Sequence, residues 1–223
     1  MISIKPGFTV LFFSVSLMVT SCITSKKMDD VVATELATKM QPPKIKNGSN
    51  IKVNSAITSN ITTTSVTQTK TSNMVPLIVY WKWDYKNICN LNPQIPVNNF
   101  IKTVNANKAL RDKIKNNKLE LTVEQAPSQF TLNDRSVVIL FSFIWEKVTV
   151  NTEEKDLVVS YKLLAEDNTP AKNGTITIPF GKAKMNVSQW RSWKKSIADY
   201  LSDYDTYIAA TSKEFTDVLI AQL

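Results

Sequence analysis

The chain has 223 residues, 43% of them hydrophobic, which is enough for one ordinary domain with a packed core and for additional segments. It contains no histidine, which excludes Ser-His and Cys-His nucleophiles and most zinc sites. The formal net charge is +8, but the basic residues are scattered rather than grouped in blocks. We therefore expect a solvated basic surface and no binding of nucleic acid.

The first residues follow the pattern of a secretory signal. Lys5 precedes an apolar run from Phe8 to Met18, which is too short for a stable membrane span. The next residues, Val19-Thr20-Ser21-Cys22, resemble the lipobox of bacterial lipoproteins: an aliphatic residue, two small residues and the cysteine that is modified. The resemblance implies that residues 1–21 are removed as a signal peptide and that Cys22 receives lipid. An ordinary secretory signal with an unmodified cysteine is the alternative.

The residues after the cysteine bear on location. Ile23 stands where aspartate would retain a lipoprotein in the inner membrane, so the resemblance implies an outer-membrane protein, anchored to the bilayer through its acyl chains. Lys27-Met28-Asp29-Asp30 is similar to the surface-export signal of some lipoproteins, a lysine followed by two acids, although the methionine interrupts it. We therefore expect the periplasmic side rather than the cell surface. Alternatively, one of these aspartates caps a helix over residues 31–40.

Residues 44–73 are rich in Ser, Thr and Asn and contain few bulky apolar side chains. Such a composition does not bury enough apolar surface to offset the entropy lost on ordering. We predict a flexible tether with a root-mean-square reach of about 30 Å. The expected organisation is a signal peptide over residues 1–21, a lipidated tether over 22–74 and a folded domain over 75–223.

A first strand is predicted over Leu77–Tyr85. Its aromatic face, which includes Trp81 and Trp83, is interpreted as core packing rather than as a binding platform. Cys89 is placed in the following loop. Because the only other cysteine is the lipidation site, no disulfide is expected within the chain, and Cys89 is predicted to be a buried, unreactive thiol.

The central part of the chain is predicted to hold a helix and two strands. Apolar residues on one side predict a helix from Pro96 to about Asn116. Lys118–Gln125 alternates apolar and polar residues, which predicts a half-buried strand. Val137–Trp145 is apolar on both faces and predicts a strand in the middle of a sheet, extending to about Val150; a buried helix segment is the alternative.

Two more strands and a helix complete the predicted order. The strands cover residues 157–163 and 176–180 and are joined by a turn. Ser188 is predicted to cap a long helix, and Thr211-Ser212-Lys213-Glu214 resembles a capping box that restarts a last one. The sequence thus predicts an α+β fold, in which an antiparallel sheet of about four to five strands has two or three helices packed on one face.

The second apolar face of the central strand is a candidate contact surface. If the helices cover the face of Ile139 and Phe141, the opposite face is left without a helical cover. An exposed apolar patch of several hundred Å² generally marks a partner or ligand surface. The predicted partner-binding residues are Val138, Leu140, Ile144, Val158 and Leu164. The alternative is that the tether or the loop around Cys89 covers this face.

Catalytic chemistry has little support in the sequence. Glu153-Glu154 and Glu166-Asp167 are acidic pairs in predicted turns, where carboxylates are usually solvated. There is no phosphate-binding glycine loop, paired cysteine site or calcium loop. We expect no catalytic residue, no metal and no cofactor. A hydrolase is the alternative, because a glycosidase needs only two carboxylates.

The second hairpin, Val158–Leu164 to Gly174–Ile178, and the closing run Asp205–Leu223 are similar to parts of two families of small envelope lipoproteins. These are the ABC-type transport auxiliary and the lipopolysaccharide-assembly lipoproteins. The resemblance implies a non-enzymatic accessory subunit of the cell envelope that binds another envelope protein or a lipid. A surface-exposed binding lipoprotein is the alternative.

Overall fold

The computed structural model describes residues 24–37, 50–57, 65–75, 80–139, 143–152, 155–180, 188–189 and 192–223. Within these ranges the helices are α1 (Ser25–Leu36), α2 (Gln94–Ala106), α3 (Lys108–Ile114) and α4 (Trp193–Gln222). The strands are β1 (Ile51–Ser55), β2 (Ser65–Val75), β3 (Tyr80–Asn90), β4 (Lys118–Gln125), β5 (Gln129–Ile139), β6 (Phe143–Thr152), β7 (Leu157–Leu164), β8 (Pro170–Ile178) and β9 (Ser188–Gln189).

The strands form two sheets. One has four strands in the order β1-β4-β7-β8, and the other has five in the order β2-β3-β5-β6-β9. Neighbouring strands are antiparallel except β1 and β4, which are parallel. The predicted α+β class is confirmed. The strands form two sheets, of four and five strands, where a single sheet of about four to five strands was expected.

Helix α4 contributes to the cores of both sheets. Its first half places Tyr200 and Tyr204 against the five-stranded sheet, where α1 packs as well. Its second half places Phe215 and Leu219 in the core of the four-stranded sheet, together with α2 and α3. The ring of Phe215 contacts that of Phe100 edge-on at 5.2 Å between centroids. Burying apolar surface stabilises a fold by about 25 cal/mol per Å². Because α4 buries large side chains in both cores, it joins the two sheets.

The predicted restart of the last helix at Thr211 is wrong, because α4 is one helix of 30 residues. The hydroxyls of Thr211 and Ser212 donate to the carbonyls of Tyr207 and Ile208, at 2.9 and 2.7 Å. A Ser or Thr hydroxyl that is satisfied one turn back along the helix need not cap a new one. Ser188, the predicted cap, lies in β9 instead.

The run Val137–Trp145 is a hairpin and not the single strand that was predicted. Val137 is the pairing partner of Trp145, and Ile139 is the partner of Phe143. The two arms therefore belong to β5 and β6. The sequence gives no warning of the reversal, because the run contains no Gly, Pro, Asn or Asp to mark a turn.

The predicted tether is also corrected. Two of its parts are strands: β1 pairs with β4, and β2 pairs along all of its 11 residues with β3. Before them, α1 buries Met28, Val32 and Leu36 in the core of the five-stranded sheet. A strand at a sheet edge gains backbone hydrogen bonds without needing bulky apolar side chains, and Thr suits a strand. The folded unit therefore extends well before residue 75.

Other expectations differ only in detail. The predicted helix 96–116 is two helices, and the Asn107 side chain accepts a hydrogen bond from the Leu110 backbone at 3.0 Å where the second begins. Strand β4 has the predicted bounds. Cys89 is buried as expected but lies in β3 rather than in a loop. The predicted signal peptide and Cys22 lie outside the described residues.

Candidate binding site

The five-stranded sheet has a covered end and an open end. At the covered end, Cys89, Phe130 and Val150 belong to the core beneath α1 and α4. At the opposite end of the same strands, Met74 pairs with Trp81, which pairs with Val138. The next row pairs Val75, Tyr80 and Ile139. We call these six residues the open end.

Three side chains of the open end are unusually exposed for their type. Met74 exposes 62% of its surface, Val75 43% and Trp81 44%, and they are the exposed large hydrophobic residues of the described part of the chain. A single exposed apolar residue is ordinary on a protein surface. Three at one end of a sheet form an apolar patch, which is the feature that marks contact sites.

The open end is apolar on both faces of the sheet. Because side chains alternate along a strand, Met74, Trp81 and Val138 share one face, and their neighbours Val75, Tyr80 and Ile139 share the other. Such an arrangement differs from an ordinary docking face, which is apolar on one side only.

The indole of Trp81 is held in place by two contacts. Its Nε1–H donates to the Oγ of Ser72 on the neighbouring strand at 2.9 Å. Its ring meets that of Trp83 edge-on, with 5.1 Å between the centroids. Since the polar atom of the indole is already paired within the protein, the exposed part of the ring is available for apolar contact.

Charged residues lie next to the open end on the face of Tyr80. The carboxylate of Asp84 accepts a hydrogen bond from Arg135 Nε at 2.6 Å and lies 3.1 Å from Lys82 Nζ. Partial burial acts to raise the pKa of Asp84, but the hydrogen bonds and charges of Arg135 and Lys82 outweigh it and hold the pKa below its usual value. These ionised side chains mark where the polar part of the sheet begins.

On the face of Trp81, buried polar residues separate the open end from the core. Ser136, Asp134 and Asn87 are all buried and belong to three successive cross-strand pairs of this face, the first two on β5 and the third on β3. The Oδ1 of Asn87 accepts a hydrogen bond from Gln68 Nε2 at 2.9 Å, while its Nδ2 has no partner among the described residues. A buried amide proton without a partner is unfavourable, so this row does not extend the apolar core.

The structure brings together only part of the predicted partner surface. Val138 and Ile144 are pairing partners, and Val138 also pairs with Trp81, so both lie at or beside the open end. Val138 is only 5% exposed, because it lies in an interior strand with a neighbour on each side. Val158 and Leu164 lie half-buried in the other sheet, so the expected single patch is divided. Leu140 lies outside the described residues.

Met74 and Val75 were missed because the predicted tether ended there. The available signal was Pro76, which interrupts an otherwise apolar run between Met74 and Trp81 and is typical of a turn between two strands. The interpretation of the aromatic face as core is right for Tyr85, which is buried, and wrong for Trp81.

No protein family matches this chain. No curated protein and no solved structure matches it either. Among the helices of the described ranges, none combines the length and the apolar character needed to cross a membrane. The function must therefore be argued from the site itself.

Two other groups that the sequence brought into question, Asp167 and Cys89, have structural explanations. Asp167 lies in the turn between β7 and β8, where its Oδ1 accepts from the backbone N–H and hydroxyl of Thr169, and these hydrogen bonds lower its pKa. Burial, with a smaller effect of the nearby Asp29 carboxylate, raises the pKa of the Cys89 thiol, so that the thiol stays protonated. Glu153 and Glu154 lie outside the described residues.

A second surface feature is a cleft of about 390 Å³ between α1 and α4. Its lining includes Asp30 and Glu35 on one helix and Lys194 and Lys195 on the other. The cleft thus has acidic residues on one helix and basic residues on the other. The described part of the chain contains no group of three or more His, Cys, Asp or Glu residues placed to hold a metal ion. We therefore regard the open end as the candidate site.

Proposed function

We propose that this protein is a lipid-anchored, non-enzymatic binding subunit of the bacterial cell envelope, held by Cys22 on the periplasmic side of the outer membrane. The observation that carries the binding role is the open end of the five-stranded sheet, where Met74, Val75 and Trp81 are exposed together. A folded domain keeps such a patch in contact with water only at a cost, and binding removes that cost.

The anchor is supported by the sequence Val19–Cys22 and by the position of α1. The helix begins at Ser25, and the hydroxyl of its N-cap Thr24 accepts a hydrogen bond from the Lys27 backbone at 3.3 Å. Only Ile23 separates Cys22 from this cap. One or two residues of chain span less than about 10 Å, so a lipid on Cys22 would hold the domain close to the bilayer rather than at the end of a long tether.

The periplasmic side is favoured over the cell surface by the role of the stretch that resembled an export signal. Lys27–Asp30 lies in the first turns of α1, and Met28 within it is completely buried in the core of the five-stranded sheet. A residue that packs the core is explained by folding alone. The stretch is therefore not the free and uninterrupted charged segment that a surface-export signal would need.

A binding role is preferred to hydrolysis because two of the described carboxylates, Asp84 and Asp205, serve structural contacts. Asp84 is engaged by Arg135 and Lys82, and Asp205 accepts a hydrogen bond from Asn99 Nδ2 at 3.1 Å. A carboxylate-based hydrolase needs two carboxyl groups that face each other across a substrate site. The open end instead offers apolar contact area.

The anchor is tested by mass spectrometry of the N-terminal peptide of protein purified from membranes. We expect acyl chains on Cys22 and their loss in Cys22→Ser, which should leave an uncleaved or soluble form. Cys89→Ala is the matched control, because it removes the other cysteine without touching the anchor, and it should remain acylated. An unmodified Cys22 in the wild-type protein would refute the anchor.

Orientation is tested by treating intact cells with protease. We expect the domain to survive in intact cells and to be degraded once the outer membrane is permeabilised. Degradation in intact cells would place the domain on the cell surface and would replace the periplasmic assignment with the surface-exposed alternative.

A further inference from the structure

We infer that the open end of the five-stranded sheet inserts into the headgroup region of a lipid bilayer, so that the ligand of the proposed binding site is a membrane surface. The inference rests on the proposed function in that it takes the open end as the binding site. It does not depend on the lipid at Cys22.

The first argument is the apolar character of both faces. A protein partner that docks on a sheet covers one face, and the other face stays in water. At the open end, Met74 and Trp81 are exposed on one face and Val75 on the other. The boundary between headgroups and acyl chains surrounds an inserted tip on all sides, so it covers both apolar faces at once.

The second argument is the depth of the apolar band. The first charged residue of β3 is Lys82, two positions from Tyr80 at the end of the strand. At about 3.3 Å per residue, this charge lies roughly 7 Å from the strand end. Interfacial apolar segments bury to a depth of about 5–10 Å, so this part of the strand fits within the headgroup and outer acyl region.

The third argument is the kind of residue at the boundary. Tyr80, Trp81 and Trp83 are aromatic residues of the type that concentrates at membrane–water interfaces, where an apolar ring and a polar atom are both accommodated.

The fourth argument is charge. The long strands of this sheet, β2, β3, β5 and β6, carry five basic residues against three acidic ones. The basic residues are Lys70, Lys82, Lys86, Arg135 and Lys147. An excess of positive charge behind an apolar tip is attracted to anionic headgroups, and the attraction weakens beyond a Debye length, so it acts when the tip is in contact.

The test uses an environment-sensitive fluorophore, nitrobenzoxadiazole, attached at one cysteine of the full chain. Met74→Cys places the probe at the open end, and Thr177→Cys places it on the exposed face of the four-stranded sheet as the matched control. Both variants carry Cys22→Ser, and Cys89 is buried with a raised thiol pKa, so neither of these positions takes the label. The membranes are vesicles of phosphatidylethanolamine and phosphatidylglycerol.

The local readout is necessary because the apolar residues 8–18 would hold either chain on vesicles. We expect the probe at position 74 to shift its emission to shorter wavelength and to be quenched by a lipid that carries a spin label near its headgroup. The probe at position 177 should respond to neither. Adding Val75→Asp to the Met74→Cys chain should abolish the shift.

An unchanged emission at position 74 while the chain floats with the vesicles would overturn the inference. A photo-crosslinker at position 74 that forms one discrete protein adduct in cells, with no response of the fluorophore to vesicles, would also overturn it and would make the partner a protein. That second outcome leaves the proposed binding role intact. An unmodified Cys22 in wild-type protein would refute the anchor and leave the vesicle result unchanged.

Discussion

The indole N–H of Trp81 donates to the hydroxyl of Ser72 on the neighbouring strand, and the two residues are diagonal neighbours on the same face of the sheet. The hydrogen bond fixes this large aromatic ring, although Trp81 exposes 44% of its surface to water. A ring held rigid in advance loses little side-chain entropy when it is buried by a ligand. The pair is therefore an arrangement suited to binding more than to folding.

Substitution of Trp81 should separate binding from stability. Trp81→Ser should abolish the vesicle response of the probe at position 74, because it removes the largest exposed apolar side chain of the open end. The free energy of unfolding should change by no more than about 1 kcal/mol, as is usual for an exposed position. Trp81→Phe keeps an aromatic ring and should retain most of the response. A large loss of stability in urea denaturation of Trp81→Ser would show that the ring belongs to the core.

The carboxyl of Asp29 should make stability depend on pH. Burial, with a smaller effect of the Asp30 carboxylate, raises its pKa above 3.8, and its Oδ1 is buried with no hydrogen-bond partner among the described residues. The folded state therefore favours the protonated form of Asp29. The protonated carboxyl stabilises the fold below pH 3.8, and this contribution is lost as the pH rises through the pKa of the folded state.

Asp29→Asn should accordingly raise the free energy of unfolding at pH 7, by less than about 1 kcal/mol because the carboxyl is partly solvated. The gain should shrink as the pH falls towards 3.8, as measured by thermal unfolding at several pH values. Asp30→Asn is the control, because its side chain is exposed, and it should give a smaller gain. A gain of Asp29→Asn that grows at acid pH would contradict the assignment.

Gly174 is required by the ring that packs over it. It pairs with Tyr161, and a Cβ at this position would lie 2.9 Å from Cε1 of that ring. The hydroxyl of Tyr161 donates to the Gln222 side chain at the end of α4, at 3.1 Å, so the ring is tied on its other side. Gly174→Ala should lower the free energy of unfolding by about 1–3 kcal/mol, a typical cost of overpacking. Thr175→Ala, at the exposed neighbouring position, should change it by less than about 0.5 kcal/mol.

Proteolysis should test the strand that replaces part of the predicted tether. Lys70 lies near the middle of β2, which is hydrogen-bonded to β3 over its whole length. Trypsin should cut after Lys70 only as fast as the strand opens, so that added urea accelerates this cut together with global unfolding. Rapid cleavage at Lys70 in native buffer, before any change in circular dichroism, would show that this segment is a flexible tether after all.

Prediction from the sequence was most accurate for elements whose hydrophobic pattern matches the burial that their neighbours impose. Strand β4 has the expected bounds because Leu119, Leu121 and Val123 alternate with polar residues and face a helix-covered core. The hairpin of β5 and β6 was missed because both of its arms are apolar and no Gly, Pro, Asn or Asp lies between them. Periodicity identifies a strand, but it does not show where a continuous apolar run folds back on itself.

The site was only partly predictable for a different reason. The apolar character of Trp81 and Val138 is plain in the sequence. Whether such a residue belongs to a binding site depends on whether a helix covers it. The answer depends on how far α1 and α4 reach along the five-stranded sheet, and they cover the end of Cys89 and leave the end of Trp81 open. That reach is a property of the packed molecule. No local pattern encodes it.

The chain order of the strands has a consequence for how the protein folds. Strands of the two sheets alternate along the chain, since β1, β4, β7 and β8 belong to one and β2, β3, β5, β6 and β9 to the other. No linear fragment therefore contains either sheet without part of the other. Both cores also wait for α4, the last element, to supply Tyr200 and Phe215. Pairings between distant parts of a chain form slowly, so we expect this protein to stay unfolded until α4 is available. On the proposed periplasmic location, that means until this helix has crossed the inner membrane.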